Sequence, residues 1–353
     1  MAGGIGSRFW PMSRTSYPKQ FLDILGTGET LLQQTFNRFK KICPPQNILI
    51  VTNESYKDLV NKQLPGLYPE QILCEPSRKN TAPCIAYANQ KIALKNPNAN
   101  IIVAPADHLI LKEEEFIRVI NLALSYTETN DCLVTLGITP SRPDTGYGYI
   151  QFDNAFSTPD EKIKKVKTFT EKPNLELAEQ FIASGEFCWN SGMFVWSLKS
   201  IEKAFDKLLP EVNSLFKEGK KLMDTPEEAN FIKKVYSVSK NISIDYGIME
   251  KSSNVFVISA DIGWSDLGTW GSIYTHLPHD ENKNAIVGHS VLMYDSFGNI
   301  VNVSNDKLVV LQGLKDYIVV ETDKVLMVCK KQDEQIIKQF VNDIKLIKDE
   351  SYY

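Results

Sequence analysis

Histidine and cysteine are scarce in this sequence, and no long hydrophobic run occurs. The four histidines show no zinc-type spacing and the six cysteines form no C-x-x-C pair, which argues against a zinc site and a paired redox motif. Most cysteines lie within or beside apolar runs, a position typical of reduced, buried thiols. No apolar run approaches the roughly 20 residues that cross a bilayer, and none resembles a signal peptide. We therefore expect a soluble, cytoplasmic protein with no membrane partner.

The sequence also lacks an excess of positive charge. It carries 39 lysines and arginines against 43 aspartates and glutamates, for a formal net charge of −4, and no basic block stands out. A nucleic-acid partner is therefore not expected. With 353 residues, 43% of them hydrophobic, the chain can bury a large core. We expect one large domain and a smaller one.

Short apolar runs alternate with segments of helical periodicity through the first 140 residues. This β-α-β-α alternation predicts a parallel sheet with helices on both faces. The predicted strands cover 48–53, 71–76, 99–107 and 132–138, and the predicted helices cover 30–42, 54–64, 80–95 and 113–127.

The rest of the chain is less regular. Predicted strands cover 146–152, 164–172, 192–198 and 254–261, with helices near 175–184, 199–208, 226–237 and 245–252. Closely spaced β-runs over 285–329, split by turn residues, predict a small β-rich domain over 285–353 that ends in a helix at about 332–348. The large domain would then cover 1–280.

A glycine-rich segment opens the chain. Gly3, Gly4 and Gly6 fit a turn whose backbone N–H groups converge on anionic oxygens, although a purely structural turn has the same composition. The dinucleotide fingerprint requires a third glycine where Phe9 stands, and the Gly-Lys-Ser/Thr of a Walker A loop is missing. No apolar strand precedes the segment, although a phosphate loop in a parallel sheet normally follows one.

Three basic residues follow the glycines closely. Arg8, Arg14 and Lys19, the last in a Pro-Lys-Gln turn, favour a loop that binds a polyphosphate over a structural turn.

A carboxylate follows a buried strand directly. Asp107 ends the run IIVAPAD, which places it at the carboxyl end of a strand, where open α/β sheets bind ligands. It is a candidate Mg²⁺ ligand, although a strand-end aspartate also often caps the next helix. Asp261 and Asp266 are both candidates for a second ligand, and spacing alone leaves that choice open. His108 is expected to be a hydrogen-bonded neighbour rather than a base.

Several motifs together resemble a known family. The run AGGIGSRFWPMSRTSYPKQF (2–21) looks like the signature of sugar-phosphate nucleotidyltransferases, and its details match the mannose-1-phosphate guanylyltransferase branch. Further matches follow in chain order: EPSRKNTAP (75–83), PADH (105–108), GYGYI (146–150), FTEKP (169–173), WNSGMF (189–194), SIDYGIMEK (243–251) and GWSDLGTW (263–270). Together they span nearly the whole chain.

The resemblance implies a fold and a set of roles. The fold is a Rossmann-like nucleotidyltransferase domain with a mixed, mainly parallel sheet, followed by a small β-helical domain, often in a homodimer. The implied nucleotide-binding residues are Gly3, Gly4, Gly6, Arg8, Lys19, Asn80, Thr81 and Asp107, with Arg8 and Lys19 catalytic and Asp107 and Asp266 as magnesium ligands. The implied sugar-phosphate residues are Gly146, Glu171, Lys172, Asn190, Asp245 and Lys251.

The implied reaction joins GTP and mannose 1-phosphate to give GDP-mannose and pyrophosphate with Mg²⁺. Another sugar 1-phosphate, another nucleoside triphosphate, or a sensor that binds sugar nucleotides without catalysis are the alternatives. Lys79 stands where the family commonly has arginine, so a planar donor becomes a point charge. The chain ends before the isomerase domain of longer members, so isomerase activity is not expected. Alanine at Lys19 or Asp107 is expected to remove most of kcat and leave folding normal.

Side chains beside these motifs have plainer interpretations. Tyr147 and Tyr149 alternate with glycines and are expected to pack against the sheet rather than contact a ligand. Taken alone, Glu171-Lys172 is typical of an exposed strand end and Asn190 of an ordinary turn. Only the ordered set of motifs favours a sugar-phosphate pocket.

Overall fold

A computed structural model describes residues 1–4, 9–156, 158, 160–304 and 306–353. Gly6 and Arg8 of the predicted phosphate loop lie outside the described residues. The α-helices are α1 (Leu31–Phe39), α2 (Lys57–Gln63), α3 (Thr81–Lys95), α4 (Glu113–Thr129), α5 (Leu175–Ser184), α6 (Leu198–Leu208), α7 (Pro210–Glu218), α8 (Glu228–Val238), α9 (Trp270–Tyr274) and α10 (Ile337–Ile347).

The strands fall into an N-terminal and a C-terminal set. The first set comprises β1 (Ile50–Asn53), β2 (Ile72–Glu75), β3 (Asn100–Val103), β4 (Leu109–Ile110), β5 (Leu133–Ile138), β6 (Tyr149–Asp153), β7 (Ile163–Thr170), β8 (Phe187–Ser197), β9 (Val255–Ala260) and β10 (Trp264–Ser265). The second set comprises β11 (Ala285–Val287), β12 (Val291–Tyr294), β13 (Ile300–Asn302), β14 (Val309–Gln312), β15 (Tyr317–Glu321) and β16 (Leu326–Lys330).

Six strands form the central sheet, in the order β3-β8-β5-β9-β7-β6. β5 and β9 pair in parallel, whereas β8 is antiparallel to β3, β5 and β6, and β7 is antiparallel to β6 and β9. The mixed sheet is therefore confirmed, but most of these pairings are antiparallel, not parallel as expected. The cause is β8, a strand of 11 residues that lies between β3 and β5 and runs against both.

Both faces of this sheet are covered. Alternate residues of one strand point to opposite faces, so Leu133 packs under α3, α6, α7 and α8, while its neighbour Val134 packs under α4 and α5. The same alternation divides Phe194 from Val195 on β8. The predicted helices on both sides are confirmed.

Local sequence signals explain where several helices begin and end. Thr30 and Gln33 form a capping box at the start of α1. Asn174 caps α5, which ends at Gly185 in a left-handed conformation. α7 begins at Pro210, a favoured first helical residue, and has no counterpart in the predicted elements. Among the described residues, no helix is long and apolar enough to cross a membrane.

Two predicted helices differ in type. The segment predicted at 54–64 begins with a 3-10 turn and continues as α2. The segment predicted at 245–252 is a π-helical turn, Asp245–Met249. π-Helical turns are rare and are frequent at functional sites, and this one carries Asp245 into the candidate site described below.

The C-terminal strands stack as successive turns of a β-helix. β11, β13 and β15 pair in parallel in one sheet, and β12 and β14 pair in parallel in another. Buried asparagines link the turns: Asn284 Oδ1 accepts from the backbone N–H of Asn299 at 3.0 Å, and Asn299 Oδ1 accepts from that of Tyr317 at 2.8 Å. The predicted β-helical part is confirmed.

The β-helical part shares a core with the start of the chain. Phe9 and Trp10 pack in one apolar cluster with Ile300, Ile318 and Val341. The Trp10 indole N–H also donates to the backbone carbonyl of Tyr352 at 2.7 Å. The two residues that follow the glycine-rich motif are therefore anchored to the C-terminal part of the chain.

Candidate active site

Lys19 is the residue at which three predicted motifs meet. Its side chain is buried, with 5% of the residue exposed, inside the short helical turn Lys19–Phe21. The ammonium lies 3.0 Å from Asp107 Oδ2 and donates to the backbone carbonyl of Asp266 at 2.6 Å. One buried cation thus joins the Pro-Lys-Gln turn to the carboxylate of Asp107 and to the backbone of Asp266, the two predicted magnesium ligands.

Asp107 lies just beyond the end of β3, as predicted. Burial raises the pKa of its carboxyl, but the neighbouring charges of Lys19 and His108 outweigh burial and hold the pKa below its ordinary value of 3.8. The carboxylate is therefore ionised at neutral pH. His108 Nδ1 accepts a hydrogen bond from the Trp264 indole at 3.1 Å, and burial lowers the pKa of the ring. The predicted role of His108 as a hydrogen-bonded neighbour fits these contacts.

Asp266 is held by a turn and by a tyrosine. Its Oδ1 accepts from the backbone N–H of Gly268 at 2.8 Å and from the Tyr147 hydroxyl at 3.0 Å. A Cβ on Gly268 would lie 2.6 Å from Asp266 Oδ2, so this turn requires glycine. The Tyr147 ring packs edge-on against Trp189 and Trp264, with centroids 5.0 and 5.2 Å away. Tyr147 packs as expected, but it also positions a predicted metal ligand.

The described end of the glycine-rich segment is held by two side chains. Gln20 Nε2 donates to the carbonyls of Ala2 and Gly4 at 2.8 and 3.0 Å. Arg78 Nε donates to the Gly3 carbonyl at 3.4 Å. Among the described residues, no atom lies within 4 Å of the place that a Cβ on Gly4 would take. These contacts hold the segment through its carbonyls, and the Ala2 N–H donates to the Val51 carbonyl at 2.7 Å. The N–H groups of Gly3 and Gly4 are the described ones that could bind an anion.

A carboxyl group lies unexpectedly close to this segment. Glu75, at the end of β2, is buried and accepts a hydrogen bond from the Tyr236 hydroxyl at 3.0 Å. A Cβ on Gly3 would lie 3.3 Å from its Oε2. Burial raises the pKa of Glu75 from 4.5 to about 7. Burial therefore favours the neutral acid over a carboxylate beside a loop expected to bind anions.

The N-terminus of α3 connects the two sides of the site. Asn80 adopts φ 67°, and its side chain accepts from the Thr81 N–H at 2.9 Å. The Thr81 hydroxyl accepts from the backbone N–H of Ile244 at 2.8 Å. The predicted nucleotide segment is thereby attached to the turn that carries Asp245.

The predicted sugar-phosphate residues form a second cluster. Asn190 Nδ2 donates to Asp245 Oδ1 at 2.8 Å, and burial raises the pKa of Asp245. The backbone N–H of Asn190 donates to the Gly148 carbonyl at 2.8 Å, which holds β8 beside the segment that leads into β6. A Cβ on Gly148 would lie 2.9 Å from Glu171 Oε1, so glycine there lets Glu171 approach Asn190.

Lys172 lies at the edge of this cluster. Its ammonium pairs with Glu171 at 3.0 Å, its side chain is 62% exposed, and its backbone adopts φ 42°. A left-handed backbone is uncommon for a residue other than glycine and often marks a functional position. Lys172 therefore presents a solvent-facing cation next to the Asn190–Asp245 pair.

The loop after β5 adds a cation that the motifs did not indicate. The Arg142 guanidinium lies 5.5 Å from the centre of the Trp189 ring and 6.0 Å from that of Tyr147. It also pairs with Asp144 at 2.7 Å, and Asp144 accepts from the N–H of Gly146 at 2.8 Å. The predicted residue Gly146 thus lies in the loop that holds Arg142. The sequence signal that could have indicated Arg142 is its position as a basic residue shortly after the end of a predicted strand.

Other predicted residues lie elsewhere or stand apart. Arg14 does not face the phosphate side: it pairs with Asp323 at 2.6 Å and donates to the Ser351 carbonyl, because its segment packs on the C-terminal part. Asp261 is exposed and pairs with Lys112, so it is Asp266 that approaches Lys19. Lys251 is exposed beyond the π-helical turn.

The carboxylates of Asp107 and Asp266 are the groups at this site that could hold a metal ion. Within the described ranges, no group of three or more histidine, cysteine, aspartate or glutamate side chains is arranged to hold a metal by itself. Mg²⁺ commonly takes one or two carboxylates and completes its shell with water and substrate phosphates. Two hard oxygen donors beside an open segment fit that chemistry.

Comparison with protein families gives the class of this protein. The nucleotidyl transferase family matches residues 1–283, and a MannoseP isomerase/GMP-like beta-helix domain matches residues 289–344. The chain belongs to the nucleotidyl transferase family.

Individual relatives narrow the class. A mannose-1-phosphate guanylyltransferase of Escherichia coli is 34% identical over 354 residues, covering 98% of this chain and 75% of the relative. One from Salmonella montevideo is 37% identical over 356 residues, covering 98% and 73%. The resemblance to the mannose-1-phosphate guanylyltransferase branch is therefore confirmed.

A solved structure agrees with the fold. A Thermus thermophilus protein described as a mannose-1-phosphate geranyltransferase superposes with a TM-score of 0.86 at 28% identity, covering 98% of both chains. The similarity extends over the central sheet and the β-helical part together.

Proposed function

We propose that this protein transfers a guanylyl group from GTP to mannose 1-phosphate, giving GDP-mannose and pyrophosphate. The observation that carries the proposal is the position of Lys19, whose buried ammonium contacts Asp107 and the backbone of Asp266. The family and the names of the relatives support the substrates. The separate Asn190–Asp245 cluster supplies a place for the second substrate.

The chemistry requires charge control rather than a base. A sugar phosphate is already an anionic nucleophile at neutral pH, so its oxygen can attack the α-phosphorus once electrostatic repulsion is reduced. A bond forms between this oxygen and the α-phosphorus, and the bond to the departing pyrophosphate breaks. Positive charge aimed at the triphosphate stabilises the charge that develops on the leaving group.

The protein's own groups divide this work. Lys19 fixes Asp107 and the Asp266 turn in place and contributes positive charge at the triphosphate side. Backbone N–H groups of the segment containing Gly3 and Gly4 are proposed to bind phosphate oxygens. Arg8, which lies outside the described residues, is proposed to join them on the strength of the family motif.

Magnesium fits the two carboxylates. Asp107 and Asp266 would hold the ion, and Tyr147 keeps the second carboxylate oriented through its hydroxyl. When bound, Mg²⁺ supplies charge neutralisation for the triphosphate.

The second cluster is proposed to orient the sugar phosphate. Lys172 offers an exposed ammonium for the phosphate, and Glu171, Asn190 and Asp245 offer hydrogen-bonding groups for sugar hydroxyls. Gly146 and Lys251 belong to the same proposed pocket through the family motifs. Orientation of two bound reactants can lower the barrier substantially.

One assay tests the proposal. Pyrophosphate release is measured with Mg²⁺ across a matrix of nucleoside triphosphates and sugar 1-phosphates, and the nucleotide sugar is identified by mass. We expect the highest kcat/KM for GTP with mannose 1-phosphate. A preference for UTP, ATP or another sugar would overturn the substrate assignment, and no release with any pair would favour a sensor that binds without catalysis.

We also propose the two-domain division at 1–280 and 285–353, a homodimer and a cytoplasmic location. Sedimentation velocity of the purified protein checks the homodimer, for which a species of about twice 39.9 kDa is expected. A single species of the monomer mass at micromolar concentration would contradict it.

A further inference from the structure

Arg142 is a cation beside the candidate site to which the proposed reaction assigns no role. It lies in the loop between β5 and β6, residues 139–148, and its side chain is 52% exposed. Its Cζ lies 5.5 Å from the centre of the Trp189 ring and 6.0 Å from that of Tyr147. Attraction between a guanidinium and aromatic rings restricts the side chain to positions over those rings. Arg142 is therefore a positioned cation that solvent can still reach.

The loop that carries Arg142 is attached to both parts of the candidate site. On one side, the Tyr147 hydroxyl donates to Asp266 Oδ1 at 3.0 Å. On the other side, the Gly148 carbonyl accepts from the backbone N–H of Asn190 at 2.8 Å. Arg142 thus lies where the surroundings of a predicted metal ligand meet those of the predicted sugar pocket.

The sugar-side cluster consists of Glu171, Lys172, Asn190 and Asp245, and it is rich in carboxyl groups. Burial raises the pKa of Asp245, and the charge of Glu171 acts in the same direction. Burial also raises the pKa of Glu250, and the charges of Asp245 and Glu171 add to that effect. The ammonium of Lys172 is already paired with Glu171 at 3.0 Å. A phosphate ester carries up to about two negative charges at neutral pH, so its binding here requires further positive charge.

Arg142 has hydrogen-bond donors to spare. Its Nε and Nη2 donate to the same oxygen, Asp144 Oδ2, at 3.1 and 2.7 Å. Within the described part of the chain, Nη1 makes no hydrogen bond. A guanidinium carries five N–H donors in a planar fork that matches two oxygens of a phosphate. Arg142 can therefore bind a phosphate through Nη1 and Nη2 while Nε stays on Asp144.

We propose that Arg142 binds the phosphate of the sugar 1-phosphate and holds it between the sugar-side cluster and Asp266. The inference rests on the proposed function, because it takes the acceptor to be a sugar 1-phosphate. Lys172 then contacts the phosphate from the sugar side, and Arg142 contacts it from the side of Tyr147. The two cations offset the nearby carboxyl groups and orient the attacking oxygen toward the α-phosphorus.

A purely structural role for Arg142 makes a different prediction. Asp144 Oδ1 accepts from the Gly146 N–H at 2.8 Å, whereas Oδ2 accepts from Arg142. If the Arg142–Asp144 pair only shapes the loop, loss of either partner should have the same effect. In Asp144→Asn the amide oxygen can still accept from Gly146, but the amide nitrogen cannot accept from the guanidinium. Asp144→Asn therefore releases Arg142 without removing it, and it is the matched control.

Calorimetric titration of the full chain tests the proposal. Mannose 1-phosphate is titrated into protein saturated with Mg²⁺ and the α,β-methylene analogue of GTP, whose bridging carbon prevents transfer. For Arg142→Met we expect the Kd for mannose 1-phosphate to rise about tenfold or more, with the Kd for the GTP analogue changed less than about twofold. Arg142→Lys keeps the charge but loses the fork, so its Kd should rise only about threefold to fivefold. Asp144→Asn should bind mannose 1-phosphate at least as tightly as the wild type.

Several results would overturn the proposal. One is a Kd for mannose 1-phosphate within about twofold of the wild type in Arg142→Met. Another is an equal loss in Arg142→Met and Asp144→Asn, because the pair would then act through the shape of the loop. A rise in the Kd for the GTP analogue as large as that for mannose 1-phosphate would assign Arg142 to the triphosphate instead. If Arg142→Met does not fold, Arg142→Lys is compared with Asp144→Asn, and equal affinities in those two variants count against the proposal.

The proposed function is judged separately, by turnover of the wild type. If the wild type uses another sugar 1-phosphate, the same comparison is made with that compound, because the phosphate is the group that Arg142 is proposed to bind. Absence of turnover would contradict the proposed function but leave the binding comparison intact, since the titration requires no transfer. A wild type that binds no sugar 1-phosphate would contradict both.

Discussion

The two sides of the candidate site are built differently. On the phosphate side, a buried lysine with fixed partners joins three distant motifs, and Asp107 is ionised beside it. On the sugar side, Lys172 is exposed and pairs only with its chain neighbour Glu171 among the contacts described for its side chain.

The difference indicates a division of labour. Buried, preorganised charges act strongly on developing charge, because little solvent has to reorganise around them. Exposed charges are screened and contribute less. We therefore expect substitutions on the phosphate side to act on kcat, and substitutions on the sugar side to act mainly on the KM for the sugar phosphate.

Lys19→Met is predicted to have the largest effect. It removes the ammonium and keeps most of the side-chain volume, so kcat should fall about 10³-fold. It also leaves the Asp107 carboxylate without its partner, which should lower the free energy of unfolding by about 3 kcal/mol. The contacts therefore argue against the expectation that a substitution at Lys19 leaves folding normal. Steady-state kinetics and urea unfolding measure the two effects.

A double variant separates these two roles of Lys19. Lys19→Met with Asp107→Asn removes both charges, so we expect part of the stability to return while kcat stays low. Wild-type kcat in the single variant would remove Lys19 from the mechanism. Full activity in the double variant would remove Asp107 as well.

The protonation state of Glu75 provides a test of the electrostatics on the phosphate side, where a carboxylate would oppose the binding of an anion. Its pKa in the folded protein is about 7, against an ordinary value of 4.5, so the folded state binds more protons between these values. The contribution of this group to the free energy of unfolding must then fall as pH rises from about 4.5 to about 7, by about 3 kcal/mol in total.

Glu75→Gln should remove that part of the pH dependence. The carbonyl oxygen of the introduced amide can still accept from the Tyr236 hydroxyl, so the hydrogen bond that measures 3.0 Å in the wild type has a counterpart in the variant. Urea unfolding of both proteins at about pH 5 and about pH 7.5, on either side of the raised pKa, measures the change. We expect the stability of the variant to vary less with pH than that of the wild type. Equal slopes in the two proteins would show that Glu75 titrates normally.

The sequence motifs predicted which residues form the candidate site better than they predicted the contacts that those residues make. Their order predicted Lys19, Asp107, Asp266, Asn190 and Asp245, and the structure brings these residues into two adjoining clusters. Spacing alone left Asp261 and Asp266 undecided, because the two lie close together in the chain and only the turn at Gly268 directs one of them inward.

Long-range packing explains what the sequence did not reveal. Arg14 resembles a phosphate ligand by position, yet its partners lie more than 300 residues away. The antiparallel course of β8 depends on its pairing with three other strands. Local periodicity carries no information on either feature.

Lys172→Met is predicted to have a smaller effect than Lys19→Met. The KM for mannose 1-phosphate should rise about tenfold with kcat changed less than about twofold, because an exposed cation mainly assists binding. Lys203→Met is the matched control, because Lys203 is also exposed (70%) and also pairs with a carboxylate, that of Asp131. Asp131 lies just before β5, at the opposite end of that strand from the site. A fall in kcat equal to that of Lys19→Met would erase the contrast between the two sides.

Tyr147→Phe is predicted to have the smallest effect and to sharpen the comparison. It removes one hydrogen bond to Asp266 Oδ1 and keeps the ring between Trp189 and Trp264. A bond of this kind to a charged group contributes about 1.5 kcal/mol, equivalent to about tenfold, and the retained Gly268 contact should keep the loss of activity below that.

The concentration of Mg²⁺ for half-maximal activity distinguishes the role of this hydroxyl. If Tyr147 orients a metal ligand, that concentration should rise several-fold in Tyr147→Phe while the KM for mannose 1-phosphate stays constant. Tyr149→Phe serves as the control, because the Tyr149 hydroxyl donates to the Asp144 carbonyl instead of a carboxylate. A change in the KM for mannose 1-phosphate without a change in metal dependence would show that Tyr147 acts on the sugar side. Asp266, which accepts its hydrogen bond, would then belong to both clusters rather than to the phosphate side alone.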